Sequence, residues 1–166
     1  MILGMSTATY TFLHVLISLV GIGSGAVVVL GFLTGRQLDR WTAVFLVTTA
    51  ATSITGFGFP FDHLQRAHIL GILSLITLAI AIPARYVFHL SGTWRGIYVV
   101  GSAIALYFNV FVLVVQSFEK VPVLKVLAPT QKEPPFLVVQ LLVLLVFGAL
   151  TIFATVRFHP ERTQSA

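Results

Sequence analysis

Charge is nearly missing from this chain, and the places where it is missing constrain the fold more than any other feature. Every Lys, Arg, Asp and Glu falls outside five intervals: Met1–Gly35, Trp41–Phe61, Ala67–Ala84, Gly96–Phe118 and Pro134–Val156. A helix needs roughly 17–25 mostly apolar residues to cross the hydrocarbon core of a bilayer. Each interval is long enough. In lipid a backbone must satisfy its own polar groups, and a helix does so alone. The chain is therefore expected to be all-α, an integral membrane helical bundle of five transmembrane helices at about 10–34, 41–61, 66–89, 95–118 and 136–157. These make a single transmembrane domain over residues 1–166, with an outer loop at 119–135. The composition agrees: 57% of residues are apolar and 9% charged, against about 25% charged in ordinary soluble domains. A soluble globular domain and a disordered tail are both excluded.

The first interval has no basic residue on its N-terminal flank and is longer than the h-region of a signal peptide. It is expected to be a retained span. There are no cysteines, which excludes disulfides, iron–sulfur clusters and thiolate chemistry. The net charge is +5, yet the basic residues stand singly between apolar stretches, so no nucleic-acid partner is expected. They read instead as topology signals. With the N-terminus outside, Arg36, Arg40, Arg85, Arg95, Arg157 and Arg162 lie inside, and Arg66, Lys120, Lys125 and Lys132 outside. That bias predicts an N-out, C-in orientation, with Trp41, Trp94 and Tyr86 in the inner aromatic belt. In the outer loop, Val121, Val123, Leu124, Val126 and Leu127 are expected along the membrane surface. Pro134 and Pro135 are expected to set the start of the last helix.

Small and polar residues in lipid face other helices. His14, Ser18, Gly21 and Gly25 fall on one face of the first helix. Thr48, Thr52 and Thr55 do so in the second. Ala67, Gly71, Ser74, Ala81 and Arg85, flanked by His68, do so in the third. Tyr98, Ser102, Ala105, Asn109 and Gln116 form the stripe of the fourth. The fifth predicted span is mostly Leu and Val, broken by Gln140, Gly148, Thr151 and Thr155. A four-helix core with a peripheral fifth helix follows.

No GxSxG elbow, Walker sequence or GxGxxG appears, and Gly21–Gly25 lies at membrane depth as a packing element. No inverted repeat suggests a transporter. No catalytic residues are expected. Ionisable groups at membrane depth are functional candidates, and on the outer side these are His14, Asp62, His63 and His68. The leading expectation is a b-type haem between His14 and His68, as two neutral imidazoles on parallel helices in one leaflet. Arg66 then pairs with a haem propionate, and electron transfer to or from quinone is the implied role. A second reading is a metal site or cation path built from His14, Asp62, His63 and His68. A third is a non-catalytic subunit, a homo-oligomer or part of a larger membrane complex, with the bilayer as its first partner.

The segment Leu127–Phe136, LAPTQKEPPF, together with Gln140, resembles small multi-pass membrane proteins of bacteria with no established activity. Leu13-His14, Arg40-Trp41 and His68 resemble a class of four-helix bacterial membrane proteins that also has no assigned function. There a His-Arg-Trp turn follows the first helix, whereas Asp39 stands at the His position here. In outline the arrangement resembles four-helix b-type cytochromes. The resemblance implies a bacterial plasma membrane protein and adds to the haem reading.

Overall fold

The computed structural model describes residue 2, residues 4–59 and residues 66–159, with the side chains of residues 66 and 67 excepted. Six helices follow one another: α1 (Thr7–Leu33), α2 (Asp39–Gly56), α3 (Arg66–Tyr86), α4 (Thr93–Lys120), α5 (Pro122–Leu127) and α6 (Pro134–Arg157). By length and composition four of them, α1, α3, α4 and α6, can cross a membrane. The second predicted span is the helix that falls short. Its 18 residues, about 27 Å at the helical rise, are long enough, and it falls short in apolar character. Its first turn carries Asp39 and Arg40, and hydroxyls occupy Thr42, Thr48, Thr49, Thr52, Ser53 and Thr55.

Each helix end has a local cause. Ser6 caps α1 by accepting from the Thr9 N–H at 3.1 Å, so α1 begins earlier than the apolar run alone implies. Pro122 stops α4 and opens the short α5, and Pro134 opens α6 as expected. α3 ends where the Pro83 carbonyl accepts from the N–H groups of both Val87 and Phe88 at 2.9 Å. His89 and Leu90 then adopt φ of 49° and 57°, a left-handed turn that reverses the chain into α4. Phe88 and Trp94 stack across that turn with centroids 3.8 Å apart.

The helices close into a ring: α1 packs on α2, α2 on α3, α3 on α4, and α4 back on α1. α2 and α4 touch only thinly across the diagonal, and α1 and α3 share no substantial interface. α6 lies outside the ring against α4 and α1, as its predicted peripheral place requires. Only Phe136, Gln140 and Ala154 of α6 are buried.

Close approach of α1 to the ring depends on a missing side chain. A Cβ on Gly25 would lie 2.7 Å from Leu106 Cδ1 and 2.8 Å from the Phe45 ring. The expected stripe of α1 is therefore the buried one. That of α2 needs correction. Its most deeply buried hydroxyls are Thr42, Thr49 and Ser53, while Thr48, Thr52 and Thr55 are half-buried. α2 is held between two neighbours, so it has two inward faces and the predicted stripe is one of them. The loop at 119–135, expected along the membrane surface, contains a short helix, α5. Its apolar residues remain outward, with Val123 and Val126 exposed.

Candidate functional site

Two of the candidates, His14 and His68, border the C-terminal end of α2. His14 on α1 reaches it through Nδ1, 2.8 Å from Thr55 Oγ1. The Thr55 hydroxyl has one proton, and that proton is donated to the Ala51 carbonyl at 2.7 Å. Thr55 Oγ1 then accepts from His14, which places a proton on Nδ1, and in the neutral imidazole Nε2 is the nitrogen that keeps its lone pair. Metal-binding histidines are oriented in this way, by a partner on the other ring nitrogen. Beside it, the Tyr10 hydroxyl donates to the Thr55 carbonyl at 2.7 Å. Phe59 meets the rings of both Tyr10 and His14 edge-on, at 5.0 and 5.2 Å.

His68 stands on the other flank of the same helix end. It is buried and stacks on Phe57 with ring centroids 5.6 Å apart. Phe57 in turn lies over Gly71, one helical turn further along α3. The two histidines predicted to act together thus border one end of α2, from helices on opposite corners of the ring. Arg66 opens α3, and its side chain lies outside the described residues. So do Asp62 and His63. Among the described residues, no group of three or more His, Asp or Glu side chains is placed to hold a metal ion.

The opposite end of the bundle carries a site that the sequence reading missed. Arg85, at the end of α3, donates from Nη2 to Asp39 Oδ1 at the start of α2. Its guanidinium also lies over the rings of Tyr98 and Tyr86, at 5.2 and 5.5 Å. Arg85 is buried, whereas the Asp39 side chain is 78% exposed. The pair therefore sits at the rim, with its cation inward and its anion towards water. Tyr98, wholly buried, donates to Thr42 Oγ1 at 3.3 Å. A signal for this pair was present, since Arg85 is the only charge on the inward stripe of α3. Asp39, noted as a departure from the His-Arg-Trp pattern, is its partner.

No family model, curated protein or solved structure matches this chain.

Proposed function

We propose that this chain is a small membrane cytochrome that holds a b-type haem at the α2 end of the bundle, with His14 and His68 as axial ligands. The observation that carries the proposal is the hydrogen bond from His14 Nδ1 to Thr55. In the neutral imidazole that bond leaves Nε2 as the nitrogen turned to a ligand. The donor set supports the same group. A bare structural metal asks for about four protein ligands, while a haem takes its other four from the macrocycle and asks for two. Helices on opposite corners of a ring lie about 11–14 Å apart if neighbours are packed at 8–10 Å, a spacing that suits two imidazoles facing across a flat group. Phe57 and Phe59 supply aromatic walls on either side. When bound, haem supplies one-electron chemistry. The residues fix ring orientation, exclude water and set the polarity around it. Arg66 stands as the propionate partner and quinone as the exchange partner.

The topology proposed with this function is five spans with α2 crossing inside the ring, N-terminus outside, in a bacterial plasma membrane. Arg36, Arg40, Arg85, Arg95 and Arg157 at one end support that orientation.

The test is an absorption spectrum of protein purified in detergent from cells supplied with haem precursor, oxidised and then reduced with dithionite. A Soret band that sharpens on reduction, with resolved α and β bands, is expected, and each of His14→Ala and His68→Ala removes it. Thr55→Val keeps the haem and shifts its potential, because the ring loses its orienting partner. A flat visible spectrum from the parent protein overturns the proposal. Bound metal without colour then points to the His14, Asp62, His63 and His68 set, and co-purification of a partner chain to the subunit role.

A further inference from the structure

Hydroxyl side chains in these helices divide into two kinds. Ser24, Thr48, Ser53 and Thr77 donate back to carbonyls one turn earlier on their own helices, the usual resort of Ser and Thr in a helix. A second set turns inward instead. Thr42 accepts from Tyr98, and Thr49 accepts from Asn109 Nδ2 at 3.1 Å. The hydroxyls of Thr52 and Ser74 are buried and have no protein partner, and the buried Ser102 hydroxyl lies beside that of Tyr98. Ser74 and Ser102 are 2% and 0% exposed.

These inward groups lie in two tiers. One tier, beside the Arg85–Asp39 pair, holds Thr42, Tyr98 and Ser102, and there Arg85 Nη1 is also buried without a partner. The other tier holds Thr49, Thr52 and Asn109 with Ser74. Gly101 packs against Ala81 where α3 and α4 run antiparallel, so Ser74, two turns from Ala81, comes level with Asn109, two turns from Gly101. Along α4 the tiers are separated by seven residues, about 10 Å. Phe45, Leu78 and Leu106 fill that interval, each 3% exposed or less.

An unpartnered polar atom in a buried site is costly. A roomy polar site with several such atoms is where proteins hold internal water, which satisfies two to four groups at once. Lipid outside the ring has nothing to donate or accept. We propose that both tiers hold ordered water, and that the layer of Phe45, Leu78 and Leu106 is the one dry section between them. The axis of the bundle is then a water path shut at a single apolar constriction. The species it suits is water rather than an ion. The described side chains of the two tiers include no carboxylate except Asp39 at the rim, and the Arg85 cation at one end repels protons and metal cations. The proposal concerns the haem-free chain, because a haem between His14 and His68 would close the α2 end of the same axis.

Two measurements on the full chain test it together. The first is thermal unfolding in detergent of Ser74→Ala and Thr52→Val, each of which removes an unpartnered hydroxyl. Removing a dry, unpartnered hydroxyl relieves a cost and raises Tm. Removing a water-bonded one strands the water and lowers Tm, and a fall of a few degrees in both is expected. The second is osmotic shrinkage of proteoliposomes, followed by stopped-flow light scattering, for the parent, Leu106→Ala and the milder Leu106→Val. A severalfold rise in water permeability is expected in Leu106→Ala, with proton leak at the level of the parent. Leu106→Val, which disturbs packing least, shows a smaller rise and guards against a misfolded alanine variant. A Tm equal to or above that of the parent in either hydroxyl variant overturns the proposal. So does a water permeability at the parent level in both Leu106 variants.

Discussion

At the scale of single residues, Gly25 is a point where helices meet with no room for a side chain. Its neighbours Phe45 and Leu106 are both nearly wholly buried, and the Phe45 ring has no free space to turn into. Gly25→Val is expected to destabilise by about 1–3 kcal/mol, the usual cost of overpacking, as read by thermal unfolding in detergent. Glu133, in the turn before α6, is a residue whose effect depends on pH. Desolvation pushes its carboxyl up. Hydrogen bonds from the Thr130 hydroxyl and from the N–H groups of Thr130 and Lys132 outweigh that, and hold it below the ordinary glutamate value. A carboxyl lowered in the folded state contributes order above its unfolded pKa and loses it as pH falls through the lowered one. Amide exchange at Thr130 and Lys132 is thus expected to quicken in acid, below the usual carboxylate range. Glu133→Gln removes that acid transition. His14 and its stripe were legible in the sequence because polar groups in lipid need partners. Its tautomer was not, because that rests on Thr55, 41 positions away, and on where Thr55 spends its own proton.

Among the elements, α2 is the one whose character comes from its neighbours rather than from its own pattern. An amphipathic stripe presumes one buried face. Between α1 and α3 the helix has two, so Thr42, Thr49 and Ser53 on one side and Thr48 and Thr55 on the other are all inward. Periodicity alone cannot separate them. Its start is tied to the end of α3 by Asp39 and Arg85, which lie 46 positions apart and were read separately as a topology signal and a motif departure. Because the acid end of the pair is exposed to water, screening limits its value. Asp39→Asn is expected to cost less than about 1 kcal/mol. Arg85→Ala is expected to cost several times more, since it also removes the buried stem and its packing on Tyr98. The ratio of the two losses, measured by thermal unfolding, checks this. α5 escaped the sequence reading for a simpler reason: six residues give too few turns for a period to show.

For the molecule as a whole, the stability of the ring and that of its outer helix are separate quantities. Most of α6 presents Leu and Val to the surroundings, as Leu141 and Leu145 at 55% and 60% exposure show. It is seated at both ends: Phe136 meets Phe118 at 5.4 Å near its start, and at the other end Ala154 and the following Phe158 enter the main core, where Phe158 meets Phe32 at 4.8 Å. Phe158→Ala is expected to cost about 3–5 kcal/mol, while Leu145→Ala stays within about 0.5 kcal/mol. Unfolding of the two variants under identical detergent conditions separates these cases. The five long helices, the four-helix core and the outlying last helix were legible in the spacing of charges and small residues. Ring order was not, since it depends on which inward faces meet.

The stretch from Ala128 to Glu133 joins α6 to a body that is otherwise closed on itself. In such an arrangement, covalent continuity is a convenience of synthesis and the noncovalent seat carries the assembly. Two separately translated pieces, one ending near Thr130 and one beginning near Gln131, should find each other in the same membrane and co-purify through a tag on either. Phe158→Ala in the shorter piece should part them.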